Sequence, residues 1–189
     1  MLDETFSAVV MVGQHSMVGT VNGHLSHTYS RQRIKRVTIG SRDAGEIALV
    51  AGMASSCGVP CVFVSGDDAA VAEAEDWLPQ AISIPVKQGL SRECCMSLPA
   101  SEARALIEDG VCQSLAGSAD AKPLSMNDPV VLEVEYYLKF AWRVMAKRLL
   151  RGGSRRELRA RGIRQRGVTK TILSGPNLAL LWNHFIGAR

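Results

Sequence analysis

The chain has 189 residues at 20.4 kDa, 47% apolar and 21% charged, a composition that excludes wholesale disorder and needs neither disulfide nor metal merely to fold. Its longest apolar run, residues 47–54, is far shorter than the ~20 residues of a membrane-spanning helix. The start, Met-Leu-Asp-Glu, is acidic where a secretory leader is basic, so a cytoplasmic protein is expected.

Residues 6–12 (FSAVVMV) are apolar and rich in β-branched side chains, the pattern of a buried strand. A polar stretch, 14–30, follows and carries three of the four histidines. Residues 33–39 (RIKRVTI) alternate basic and apolar, as a half-buried strand does. Small apolar residues over 44–57 predict a closely packed helix ended by Gly58 and Pro60. Residues 61–64 read as a second buried strand, running into Gly66-Asp67-Asp68, an acidic pair suited to cap a helix over 69–77. A strand over 81–86 and a helix from Pro99 to about residue 115 come next, with the proline in its first turn. Residues 130–136 (VVLEVEY) alternate as a strand with one wet face does, and an apolar helix is expected over 178–186 after a turn at 175–177. Strands alternating with helices predict an α/β layered domain, a mixed sheet flanked by helices.

Net charge is +4, but residues 1–138 sum to −8 and residues 139–189 to +12. Two segments are therefore expected, an α/β domain over 1–138 and a basic, arginine-rich segment over 139–189 (RGGSRRELRARGIRQR at its centre). The basic segment has two readings: a shifted reading frame, or an arm for a polyanion with Tyr136, Tyr137, Phe140 and Trp142 as stacking groups. A charge run is usually a solvated face, and nucleic acid is not expected as a partner. Cys57, Cys61, Cys94, Cys95 and Cys112 form no CxxC pair, and reduced thiols are expected.

His15, His24 and His27 are the first candidates for chemistry, because imidazole suits metals and strand-end loops present functional side chains. Their spacing, His-x8-His-x2-His, matches no standard zinc template, and a solvated loop histidine remains the competing reading. Glu46 opens a helix, where a carboxylate can equally serve the helix dipole. Lys87-Gln88 and Ser91-Arg92 could hold an anion or be ordinary loop residues. GxxxxGK[ST], GxSxG and HExxH are missing, which removes three large enzyme classes.

Taken together, GQH, LSHT, GEIAL, VSGDD, VKQ and SR, in this order and spacing from residue 2 to about 136, resemble the zinc D-aminopeptidases of the DppA type, in their C-terminal portion. The resemblance implies a two-layered α/β fold, a homo-oligomer (a decamer in the family) and a dinuclear zinc site that removes N-terminal D-amino acids from short peptides. By the same resemblance His15 and Glu46 are zinc ligands and His27 is the catalytic histidine beside the metals. The family's other ligands, an Asp-x-Glu on its first strand and a further histidine, have no counterpart in this sequence. The expectation is an N-terminal half missing and a partial site, complemented by a separate chain or left as an inactive scaffold.

Overall fold

The computed structural model describes residues 2–141, 163–166 and 169–187. In chain order the elements are β1 (Val9–Gln14), β2 (Ile34–Ile39), β3 (Arg42–Asp43), α1 (Glu46–Ser55), β4 (Cys61–Asp67), α2 (Asp68–Trp77), β5 (Ile82–Ser91), β6 (Cys94–Ser97), α3 (Ala100–Ala116), β7 (Val130–Tyr136), β8 (Ile163–Arg166), β9 (Lys170–Gly175) and α4 (Leu178–Gly187). They fall into two compact units: residues 1–27 with 45–125, and residues 28–44 with 126–189. The division expected between 138 and 139 falls inside the second unit, just after β7.

The first unit is built on a four-stranded mixed sheet of order β1-β4-β5-β6. β1, β4 and β5 run parallel and β6 turns back antiparallel to β5. β4 lies between two parallel neighbours and is buried along its whole length, its apolar CVFV start and the polar Ser65 and Asp67 alike. Phe63 and Val64 are fully covered. α1 packs on β1 and α2, while α2 and α3 pack on β4 and β5. Two expectations shift at their edges. β1 begins at Val9 instead of residue 6, because Val9 is the first residue to find a partner, Cys61, and Phe6 is left exposed. Pro99 stands at the N-cap of α3 instead of inside its first turn.

The capping expected of the acidic pair divides between its members. Asp67 is the N-cap of α2 and its Oδ1 accepts the Ala70 N–H at 2.8 Å. Asp68 Oδ1 accepts the Ala69 and Gly89 N–H groups at 3.0 and 2.8 Å, tying the start of α2 to β5.

The second unit is an antiparallel sheet of order β3-β2-β7-β9-β8. β7 shows the alternation its sequence requires: Val130, Leu132, Val134 and Tyr136 are buried, and Glu133 and Glu135 lie on the wetter face. There Lys170 Nζ meets Glu133 at 2.6 Å and Lys35 Nζ meets Glu135 at 2.8 Å. α4 buries Leu178, Leu181, Trp182 and Phe185. Tyr136, one of the four stacking groups offered for the basic-arm reading, is a core residue, 6% exposed against Phe140 and Phe185, and so cannot stack on a nucleic acid. Trp142 and most of the arginine-rich segment lie outside the described residues.

Candidate metal centre

β1 runs parallel to β4, and the carboxyl end of a parallel strand is where open α/β sheets gather functional side chains. His15 is the first residue past that end. Gly13, at φ +74°, lies within a register shift between Met11 and Gln14, just before His15. The loop after it returns on itself, because the His27 N–H donates to the Ser16 carbonyl at 3.2 Å. His27 is thereby laid on His15, with ring centroids 3.9 Å apart and planes 21° from parallel.

The loop is held from the sheet. The His24 N–H donates to Asp67 Oδ2 at 2.5 Å, the Leu25 N–H to the Arg92 carbonyl at 2.7 Å, and Arg92 Nε to the Ser26 carbonyl at 3.2 Å. Gly89 of β5 comes so close that a Cβ there would lie 1.8 Å from the Asn22 carbonyl oxygen. Arg92, a candidate anion holder by sequence, is thus occupied with this loop and with Glu93 at 3.6 Å.

Glu46, first residue of α1, closes the group. Its Oε1 lies 3.5 Å from His15 Nε2 and 3.8 Å from His27 Nε2, and the three donor atoms fall within 4.8 Å of one another. The far sides of both rings are engaged with backbone carbonyls, His15 Nδ1 with Ser16 at 3.2 Å and His27 Nδ1 with Leu25 at 2.7 Å. A carbonyl can only accept, so each Nδ1 carries a hydrogen and each ring turns its Nε2 toward Glu46. Lone pairs facing a carboxylate repel unless a proton or cation lies between them. The 3.5 and 3.8 Å separations from Glu46 are near the spacing of zinc ligands, since tetrahedral ligands ~2.0–2.1 Å from zinc lie about 3.3 Å from one another. Two imidazoles and a carboxylate are a zinc-type donor set that leaves one position open. All three side chains keep 21–33% of their surface, so the group is reachable.

The structure therefore brings together the three residues the sequence singled out by resemblance, and leaves His24 outside them. Sequence reasoning missed Glu73, which lies on α2 and is 6% exposed. Burial pushes its carboxyl up to about 7, against the N–H groups of Met17 and Gly45, which favour the ionised form. Its signal was its place on the face shared by Ala70, Ala74 and Trp77, all buried.

A sequence model of the D-aminopeptidase family matches residues 1–158. The chain belongs to that family. The D-aminopeptidase of Bacillus subtilis (strain 168) is 33% identical over 135 residues, which are 71% of this chain and 48% of the relative. The chain thus spans about half the length of that curated relative. A solved structure, the Zn-dependent D-aminopeptidase DppA from Bacillus subtilis, described as a self-compartmentalizing protease, superposes with a TM-score of 0.83. It is 24% identical, over 99% of this chain and 64% of the other, and shows that the fold is shared. Within the D-aminopeptidase family fold, the described residues include no helix long and apolar enough to cross a membrane.

Proposed function

We propose that this chain carries part of a zinc-dependent aminopeptidase centre that releases N-terminal D-residues from short peptides. The supporting observation is the convergence of a ring nitrogen each from His15 and His27 with a Glu46 carboxylate oxygen within 4.8 Å, in a member of the D-aminopeptidase family. Glu46 supplies the negative charge, and the Nδ1 contacts with Ser16 and Leu25 hold both rings in the orientation that exposes Nε2. A bound zinc supplies Lewis acidity toward the scissile carbonyl and lowers the pKa of water. His15 and Glu46 are the ligands, and His27, the most exposed of the three at 33%, moves the proton between water and the leaving amine.

A dinuclear centre requires more protein donors than these three, since one catalytic zinc ordinarily takes about three. In this reading the remaining donors come from elsewhere than His15, His27 and Glu46, from a separate polypeptide or from another copy in a homo-oligomer. The five cysteines, all free, fit a reducing cytoplasm.

Zinc titration of chelator-treated protein, with hydrolysis of D-alanyl dipeptides followed in parallel, tests the assignment. Glu46→Gln and His15→Ala are expected to lose zinc binding and any activity. His27→Ala is expected to keep most of the zinc affinity while losing activity about 100-fold or more. Zinc uptake unchanged in Glu46→Gln would remove the basis of the proposal.

A further inference from the structure

Glu73 is not within the three-residue group, yet its carboxylate reaches both segments that carry it. Its Oε2 accepts the Met17 N–H at 2.7 Å, two residues beyond His15. Its Oε1 lies against Gly45, the residue before Glu46, close enough that a Cβ there would stand 2.2 Å from that oxygen and 2.9 Å from Met17 Cβ. That oxygen faces the Gly45 amide without the geometry of a full hydrogen bond. The packing of α2 gives no reason for an acid here, since its neighbours on the same face are Ala70, Ala74 and Trp77. Burying a carboxylate costs several kcal/mol more than burying a hydrocarbon of similar volume. A side chain kept against that cost, spanning the two ligand segments, points to a role in the site.

We propose that Glu73 is a positioning residue for the metal centre: its carboxylate clamps the backbone after His15 to the start of α1, fixing the distance between His15 and Glu46 at which one cation fits. This rests on the reading of His15 and Glu46 as ligands. The clamp has a chemical consequence besides stability, because residues that orient metal ligands typically alter metal affinity 10- to 100-fold when removed. It also requires glycine at 45, since any side chain there enters the space of the carboxylate.

Cobalt(II) titration of the whole, chelator-treated chain, followed by visible absorption, tests the clamp with no reliance on turnover. Glu73→Gln keeps an oxygen for the Met17 N–H and is expected to bind cobalt within about threefold of wild type. Glu73→Leu keeps the volume without the acceptor and is expected to bind at least tenfold more weakly with a changed absorption envelope, while its circular dichroism stays native. Gly45→Ala, which leaves the acid in place but displaces it, provides the same test should the leucine variant not fold, and its affinity is expected to fall likewise. Wild-type affinity and spectrum in a folded Glu73→Leu or Gly45→Ala protein would overturn the proposal. Equal losses in Glu73→Gln and Glu73→Leu would overturn it too, by assigning the effect to charge. Failure of the underlying reading is distinct: wild type and Glu46→Gln would then show the same negligible cobalt uptake.

Discussion

Glu73 makes the stability of the metal-free chain depend on pH in a direction opposite to that of carboxylates held ionised by a salt bridge. Its carboxyl is raised from 4.5 to about 7, chiefly by burial, with Asp67 and Glu46 adding a smaller push the same way. Below pH 4.5 the group is protonated in both folded and unfolded chains and contributes no pH dependence. Between 4.5 and about 7 the folded chain holds the proton and the unfolded chain has released it, so stability falls as pH rises. At about 1.4 kcal/mol per pH unit the accumulated loss is about 3 kcal/mol, complete above the folded value. For a chain of this size that corresponds to about 6–12 °C in Tm. Other groups titrate over the same range, so the measurement is a difference: thermal melts of wild type and Glu73→Gln from pH 4.5 to 8, both with chelator. Glutamine imitates the protonated acid, and the wild-type Tm is expected to drop relative to the variant as pH rises, then level off above pH 7. Parallel curves, or a gap that opens toward low pH, would refute the assignment of a raised pKa to this residue.

Three further outcomes test other parts of the structure. Gly89→Ala is expected to destabilise by about 1–3 kcal/mol in urea and to weaken cobalt binding, since the added Cβ enters the Asn22 carbonyl and must displace the loop that carries His27; unchanged binding would detach the loop from the site. Phe63→Ala, at a fully buried position of β4, is expected to cost about 3–5 kcal/mol by urea denaturation, and a cost below 1 kcal/mol would contradict the packing of this sheet. Burial pushes the Cys61 thiol up to about 11, so at pH 8 a thiol reagent is expected to label exposed Cys94 and Cys112 first and Cys61 only on unfolding; prompt labelling of all five would refute its burial.

The strands that a local pattern can specify were legible in the sequence. β4 declares itself by the apolar run of its first four residues because it has parallel neighbours on both sides, and β7 by alternation from Leu132 to Tyr136 because one of its faces is wetter. β5 is longer than its sequence suggests. The strand expected over 81–86 contains Pro85 and continues through Gly89 to Ser91. The proline is tolerated because β6 pairs with β5 only from Lys87 onward, so Pro85 has no neighbour on that side to which a missing N–H would matter. β6 itself, CCMS, carries no alternation and owes its existence to pairing, which no local window reveals.

The metal-type group was hidden by similar long-range effects. Spacing templates for zinc work where a helix or a tight turn places both ligands, whereas His15 and His27 are joined by a loop closed on the Ser16 carbonyl and braced from Asp67, Gly89 and Arg92. Those braces come from 43 to 67 residues further along the chain, which is why spacing alone could not separate His27 from His24. The resemblance could, since it carries the outcome of folding within the motif. Glu46 shows the converse. As the first residue of α1 it has the local role the dipole reading gave it, and the same position aims its carboxylate at two imidazoles. The two roles are compatible because a helix start fixes the backbone of its first residue while leaving the carboxylate free to face outward.

Charge then decides how far these three side chains can go by themselves. One Zn²⁺ held by His15 and the Glu46 carboxylate, with His27 beside it, would keep a net charge of about +1, enough to acidify a water in an open position. A second Zn²⁺ about 3.5–4 Å away would face the first across a single carboxylate, and that repulsion has to be met by further anions. Asp67 and Glu73 are the nearby buried acids of this unit, but Asp67 is engaged with the Ala70 and His24 N–H groups and Glu73 with that of Met17. Both carboxylates are therefore committed to shaping the site, and the donors that would make it dinuclear have to be supplied by groups other than these.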